Sequence, residues 1–253
     1  MKELNQYILK IADVEEIFQE AEFRYKNSEI DFALKLYSRV WRLGDLRGCY
    51  GLALCFLYRN VGDSNRNNKL AFHFAQICAD QGSQEGKCLL AHCYGEGIGT
   101  EVNHEKQIKL LEELASQNFP IAYRLLGLAY ISGYGRDINN EKAIEHYKKG
   151  AELNDTRSQS RLGSIYRFGT ITEKDVAKSI YWYTRAADNG DERAQFFLGL
   201  HYSSEYSEEK DIEKAKLYFA MAAKQGSKAA AERYEQLESV PIGSFWDIMD
   251  DES

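Results

Sequence analysis

Apolar and polar positions alternate with helical spacing along most of this chain, most clearly in residues 120–155. A first stripe of small and apolar residues follows i, i+3 and i+4 steps: Ala122, Leu125, Leu126, Ala129 and Tyr130. A second stripe follows after a short polar segment: Ala143, Ile144, Tyr147 and Ala151. This spacing predicts two amphipathic helices joined by a turn.

The same unit recurs in register before and after itself, with a step of 36 residues. A leucine column is formed by Leu90, Leu126, Leu162 and Leu198. A tyrosine follows four residues later each time, and we expect these tyrosines to be core residues: Tyr94, Tyr130, Tyr166 and Tyr202. Near the end of the unit stands an alanine: Ala79, Ala115, Ala151, Ala187 and Ala223. A single helix pair cannot bury both of its stripes, so the period predicts an all-α solenoid of stacked antiparallel helix pairs.

Polar residues and glycines predict where these helices begin and end. Side chains suited to an N-cap precede each second helix: Asn67, Asn103, Asn139, Asp175 and Asp211. Residues that tolerate a left-handed backbone close each unit: Gly82, Asn118, Asn154, Gly190 and Gly226. A further glycine column lies inside the first helix: Gly127, Gly163 and Gly199. Because such a glycine costs about 1 kcal/mol against alanine, we expect a second helix to approach closely there.

The pattern divides the chain into an N-terminal helix pair, five repeats and a C-terminal end. Residues 1–45 form a more generic pair that caps the stack. The five repeats are predicted at 46–83, 84–119, 120–155, 156–191 and 192–227. Residues 228–240 repeat only the first helix, and an acidic, aromatic tail occupies 241–253. The loop SSEYSEEK of the fifth repeat lacks the glycines of earlier loops, so we expect its first helix to end differently.

The motif A-x3-LG-x2-Y-x2-G-x-G, followed by a cap residue three positions before Lys-Ala, resembles the Sel-1-like repeat family, a relative of the tetratricopeptide repeats. The resemblance extends from about residue 46 to the end of the last helix. It implies a right-handed solenoid that serves as an adaptor or binding scaffold. It carries over no catalytic residue and no cofactor.

Composition narrows the expected partners. The net charge is −7 and the pI is about 5.4, which argues against a nucleic-acid scaffold. No run of about 18 apolar residues predicts a membrane span, and the first residues do not resemble a secretory signal. We therefore expect a cytoplasmic protein that binds another protein or a peptide, without a small-molecule substrate.

The five cysteines lie within the first 93 residues of the chain and do not follow the repeat: Cys49, Cys55, Cys78, Cys88 and Cys93. Their odd number and missing pattern favour reduced thiols. Cys88, His92 and Cys93 have a spacing that metal sites use, but no fourth ligand is close in the sequence. Buried thiols beside a surface histidine are the preferred interpretation.

Arginine and phenylalanine side chains are the candidate binding residues. In related repeats the first helix of each pair lines the concave groove, and the LG anchor transfers that position to Arg124, Arg157, Arg161, Arg167, Phe168, Arg193 and Phe196. The planar guanidinium group of arginine can form two parallel hydrogen bonds to a carboxylate. Arginine together with aromatic residues is typical of interface hot spots. The alternative is a solvated face whose arginines pair with acids of neighbouring helices.

Two functions remain open at this point. The first is a non-enzymatic scaffold that binds a protein or peptide in its groove. The second is a bacterial immunity protein that neutralises a cognate toxin, a role that some small members of the resembled family have. Phe245, Trp246 and Met249 of the acidic tail are further candidate contacts. The tail is either disordered, a lid on the last helix pair, or a segment that enters a groove.

Overall fold

The structure, a computed structural model, describes residues 13–58, 64–205, 207 and 209–239. This part of the chain contains helices and no strands. Its helices are α1 (Val14–Lys26), α2 (Ile30–Arg42), α3 (Leu46–Leu57), α4 (Ser64–Asp80), α5 (Gln84–Glu96), α6 (His104–Ser116), α7 (Pro120–Ser132), α8 (Asn140–Glu152), α9 (Thr156–Phe168), α10 (Val176–Asp188), α11 (Glu192–Ser203), α12 (Ile212–Lys224) and α13 (Lys228–Glu238). The all-helical prediction is confirmed.

Two compact units divide the chain, Met1–Ile138 and Asn139–Ser253. In the first unit, α1 to α7 pack against one another in chain order. In the second unit, α8 to α13 do the same, and the first helices of the fourth and fifth repeats, α9 and α11, also touch. Each unit is therefore a stack in which a helix contacts mainly its sequence neighbours, as expected of repeats.

Capping side chains begin the second helices at the predicted column. The side-chain oxygen of Asn103, Asn139, Asp175 or Asp211 accepts the backbone N–H three residues later, at 2.9–3.0 Å. These bonds satisfy a donor that the first helical turn leaves unpaired. The prediction is wrong at Asn67, which is buried inside α4 because that helix already begins at Ser64.

The left-handed positions that close the units are confirmed. The φ angles are positive at all five: 89° at Gly82, 59° at Asn118, 65° at Asn154, 84° at Gly190 and 102° at Gly226. At Asn154 the chain reverses, and the backbone N–H of Asp155 donates to the Gly150 carbonyl at 3.0 Å. Such bonds satisfy the last carbonyls of the helix.

At the glycine column a second helix approaches the first closely. A Cβ placed on Gly163 would lie 2.6 Å from the Tyr183 ring, and one on Gly199 would lie 2.6 Å from the Phe219 ring. In the second repeat the corresponding residues are Ala91 and Leu111, which share one core cluster. In the first repeat they are Ala53 and Ala75, which share another. A larger residue on one helix thus accompanies a smaller one on its partner.

The leucine column is buried throughout. The tyrosine column was also predicted to lie in the core, but most of its members are only half-buried. Of these tyrosines only Tyr166 is fully buried, and Tyr94, Tyr130 and Tyr202 are half-buried. A cation from the same repeat lies over each ring, at 4.3–5.4 Å from the centroid: Lys106, Arg136, Lys178 and Lys214. These cation–π contacts cover the part of the ring that the core leaves open.

The close approach at Gly199 can be tested with a compensating pair. Gly199→Ala should destabilise the protein by about 1 kcal/mol or more, because overpacking against Phe219 outweighs the better helix propensity of alanine. Adding Phe219→Leu recreates the Ala–Leu pairing of the second repeat. The double variant should therefore lose about 1 kcal/mol less than the sum of the single variants, as measured by urea unfolding. Strict additivity would show that the two helices do not constrain each other there.

The Asp175 cap should make stability depend on pH. Hydrogen bonds from the Lys178 side chain and backbone lower the pKa of Asp175. A carboxylate whose folded pKa is lowered stabilises the protein above its unfolded pKa, and this contribution is lost as the pH falls through the folded pKa. The melting temperature of Asp175→Asn should thus lie below that of the wild type at neutral pH and converge with it in acid. Asn139→Ala, which removes an uncharged cap, should lower the melting temperature by a similar amount at both pH values.

Candidate partner-binding surface

Three arginines project from the first helices of the fourth and fifth repeats. Asp155 caps α9 by accepting the Ser158 N–H at 2.8 Å, and the left-handed Gly169 ends it. Arg157 and Arg161 lie one turn apart on this helix, and both are exposed. Arg193 occupies the column of Arg157 in α11 and is exposed as well. Because Arg157 and Arg193 hold equivalent positions in successive repeats, they lie on the same side of two helices that touch.

None of these three arginines forms an ion pair or a hydrogen bond within the described residues. The contact that links their helices uses other groups, since the Ser160 hydroxyl donates to Asp191 at 3.0 Å. The sequence allowed the alternative that these arginines pair with acids of neighbouring helices. Within the described residues, Arg157, Arg161 and Arg193 show no such pairing. We name these three residues the arginine face.

Arg167 and Phe168 end α9 in a different environment. The Arg167 guanidinium lies over the Phe197 ring at 4.6 Å and near the Phe168 ring at 5.4 Å. Phe168 is 57% exposed, and its ring lies 6.4 Å from that of Phe197 in an edge-on contact. The two rings hold the Arg167 side chain in place and leave its N–H donors available.

The other predicted contact residues lie elsewhere. Phe196 is half-buried and packs against Phe219, with 5.8 Å between ring centroids, so it belongs to the core of the fifth repeat. Arg124 lies on α7 of the first unit and is half-buried. Burial raises the pKa of Cys88 to about 11, and the charge of Arg124 opposes that shift in part. Phe245, Trp246 and Met249 fall outside the described residues.

A cavity of about 610 Å³ lies in the second unit. Its walls come from α10 and α11, from the end of α9, and from the segments after α9 and α11. Arg167, Lys174, Ile180, Tyr183, Phe197 and Leu200 are among the residues that line it. Of these residues, only Arg167 could be identified from the sequence. The sequence pattern indicates a core position for Tyr183 and a loop position for Lys174.

Tyr183 contributes an unusual polar group to this cavity. The residue is 3% exposed, and its hydroxyl has no hydrogen bond of good geometry in the described part of the chain. Burial raises the pKa of Tyr183, while the nearby Ser164 side chain and Arg167 charge act in the opposite direction. A buried hydroxyl without a well-formed hydrogen bond costs free energy.

The cysteines offer no assembled metal site. All five are free, and Cys88 alone is not fully buried. Burial raises the pKa of Cys93 to about 11. Within the described ranges no three potential ligands of the His, Cys, Asp or Glu type come together. No helix in those ranges is long and apolar enough to cross a membrane.

Comparison with known proteins identifies the repeats. Sel1 repeats match residues 46–83, 84–119, 120–155, 156–191 and 192–227. The chain belongs to the Sel1 repeat family. No curated protein sequence matches it significantly. Sel1 repeat proteins are generally non-enzymatic scaffolds for protein–protein interaction, and the predicted solenoid class with its period of about 36 residues is confirmed.

Solved structures share this fold. The chain is similar to a Sel1 repeat protein from Oxalobacter formigenes, with 25% identity, a TM-score of 0.67, and coverage of 84% of this chain and 86% of that one. It is also similar to two immunity proteins from Pseudomonas aeruginosa. One has 18% identity, a TM-score of 0.62 and coverage of 85% and 82%. The other has 21% identity, a TM-score of 0.59 and coverage of 95% and 87%.

The unpaired hydroxyl of Tyr183 leads to a stability prediction with a built-in control. Tyr183→Phe should leave the free energy of unfolding unchanged or raise it by up to about 1 kcal/mol, because it removes a buried group without a partner. Tyr37 is also buried, but its hydroxyl donates to Glu22 at 2.6 Å. Tyr37→Phe should therefore destabilise by about 1 kcal/mol. Urea unfolding measures both, and an equal loss in the two variants would mean that the Tyr183 hydroxyl has a partner in solution.

Proposed function

We propose that this Sel1 repeat protein binds a protein partner through the arginine face of its fourth and fifth repeats, without catalysing a reaction. The observation that carries the proposal is the absence of internal partners for Arg157, Arg161 and Arg193 in the described residues. Each guanidinium presents a planar set of donors that fits a carboxylate. Three of them on two adjacent helices form a site for an acidic stretch of another protein.

The surroundings of the arginine face support this proposal. Phe168 adds a large exposed ring at the end of the same helix, and arginine with aromatic side chains is the usual composition of interface hot spots. The chain as a whole is acidic, with a net charge of −7. A local cationic face on an acidic protein orients an approaching partner, because the rest of the surface repels acidic segments.

Inhibition of a toxin is the second candidate. Two structural neighbours are named immunity proteins and are matched over most of their length. Their low sequence identity supports only a shared fold. The inhibitory role of this chain therefore rests on analogy with these two neighbours and on its negative net charge. The two candidates differ in one measurable property: an inhibitor abolishes an activity of its partner, whereas an adaptor leaves that activity unchanged.

The experiment that identifies the partner is affinity capture with the full-length chain from native lysate, compared between the wild type and variants of the arginine face. A partner in the sense of this proposal is enriched by the wild type, is lost by the variants, and forms a stoichiometric complex with the purified chain in calorimetry. The activity of that partner, measured with and without the chain, then separates the adaptor from the inhibitor.

The arginine face predicts a specific loss of affinity. Arg157→Glu with Arg193→Glu should weaken binding by more than about 2 kcal/mol, because carboxylates at a desolvated interface would then face like charges. The control is Lys109→Glu with Lys224→Glu, which changes the net charge equally at exposed positions of second helices. Calorimetry should find little change for the control. Equal losses in both pairs would assign the effect to net charge, and an unchanged affinity in the first pair would move the interface to another surface.

A further inference from the structure

The cavity in the second unit lies where the loop of the fifth repeat departs from the glycine pattern of the second and third repeats. In the second repeat, a Cβ on loop residue Gly99 would lie 2.3 Å from the Asn68 carbonyl oxygen. In the third repeat, one on Gly135 would lie 2.9 Å from the His104 carbonyl oxygen. The loops of these repeats therefore rest directly on the start of the preceding second helix, and only glycine permits that approach.

The fifth repeat has Ser207 in the column of Gly99 and Gly135, and Val176 in the column of His104. A serine carries the Cβ for which the close approach leaves no room. Both Ser207 and Val176 line the cavity. The fourth repeat also lacks the glycine, since Ile171 holds the same column, so the lost glycine alone does not account for the cavity. The cavity lies at the loop edge of the repeat stack, away from the exposed ends of Arg157 and Arg193.

The polar groups of the cavity are cationic on one side. Arg167 and Lys174 line it, and neither has a carboxylate partner among the residues described. The acid at the opposite rim, Glu209, is engaged with His201 at 3.3 Å. Both cations suit a carboxylate better than a neutral or basic group.

The remaining walls are apolar. Ile180, Phe197, Leu198 and Leu200 line the cavity next to these donors. The volume of about 610 Å³ falls within the range of about 300–1,000 Å³ that is typical of ligand pockets. An occupant that fills it therefore needs both an anionic group and a bulky apolar group, held side by side.

We infer that this cavity receives from the protein partner an acidic residue that stands next to a bulky apolar residue. The inference rests on the proposed function for the class of partner, and it deepens that function by adding a second, shape-selective contact. The carboxylate meets Arg167 and Lys174, and the apolar side chain packs on Phe197 and Leu200. Burial of the apolar group lowers the local dielectric and strengthens the attraction between the charges.

Blocked hexapeptides provide a direct test: each holds a phenylalanine beside aspartate, asparagine or lysine, flanked by glycine and serine. The aspartate peptide should shift the amide NMR signals of cavity residues in the full-length chain. It should bind about tenfold more tightly than the asparagine peptide, since hydrogen bonds to a charged acceptor are lost in the latter. The lysine peptide should bind most weakly. Equal affinities, or no shift of cavity signals at millimolar peptide, would overturn the inference.

Variants locate the effect in the cavity. Arg167→Met with Lys174→Met should abolish the preference for aspartate, whereas the control Lys109→Met with Lys224→Met, at exposed positions outside both the cavity and the arginine face, should retain it. Ala177→Trp keeps both cations and fills the opening from an exposed position of α10, so it should weaken all three peptides. Circular dichroism confirms that each variant is folded. Unchanged binding in the first pair and in Ala177→Trp would place the peptide site elsewhere.

Partner capture distinguishes failure of this inference from failure of the proposed function. If the captured partner is lost by Arg157→Glu with Arg193→Glu but retained at full affinity by the cavity variants, the proposed function stands and the cavity inference is overturned. If the cavity variants lose the partner while the arginine-face variants retain it, the inference stands and the proposed face is wrong. Additive losses would support both.

Discussion

The contact between a first-helix glycine and an aromatic ring of the second helix sets the geometry of the second unit. With Gly163 against Tyr183 and Gly199 against Phe219, the helices approach until the ring touches bare backbone. The first unit reaches its packing with Ala91 and Leu111, and with Ala53 and Ala75. A smaller side chain on the first helix is compensated by a larger one on the second helix, or the reverse. Repeats of different sequence can therefore reach similar packing.

Features determined by local chemistry could be predicted from the sequence. The caps and the left-handed closures depend on a few adjacent residues, and they follow the 36-residue period. The error at Asn67 has the same origin, since α4 begins a turn earlier than the columns of the other repeats indicate. The tyrosine column was placed in the core because spacing shows which side of a helix is apolar. It does not show that a lysine of the next helix lies over the ring.

The binding surface could be predicted only in outline. The repeat alignment locates Arg157 and Arg193, but the exposure of their side chains and the absence of internal acids are properties of the assembled helices. Phe196 and Phe197 illustrate the limit, because adjacent helical residues point about 100° apart. The first packs into the core against Phe219, and the second lies under Arg167. The loss of glycines in SSEYSEEK was visible in the sequence. The cavity beside this loop was not, because its walls come from three helices that only the folded chain brings together.

In a repeat protein, the residues that determine which partner is bound must lie at positions where core packing does not constrain the residue type. The leucine, glycine and late alanine columns are occupied by the core, so they are similar in every repeat. The column of Arg157 is free of that demand and holds Glu85, Ile121, Arg157 and Arg193 in successive repeats. A loop that departs from the glycine pattern has the same freedom, since it changes the surface without altering the helix contacts below. In the described part of the second unit, the arginine face and the cavity are places where these freedoms coincide with cations that lack a carboxylate partner. This is why we propose that the fourth and fifth repeats recognise an acidic partner.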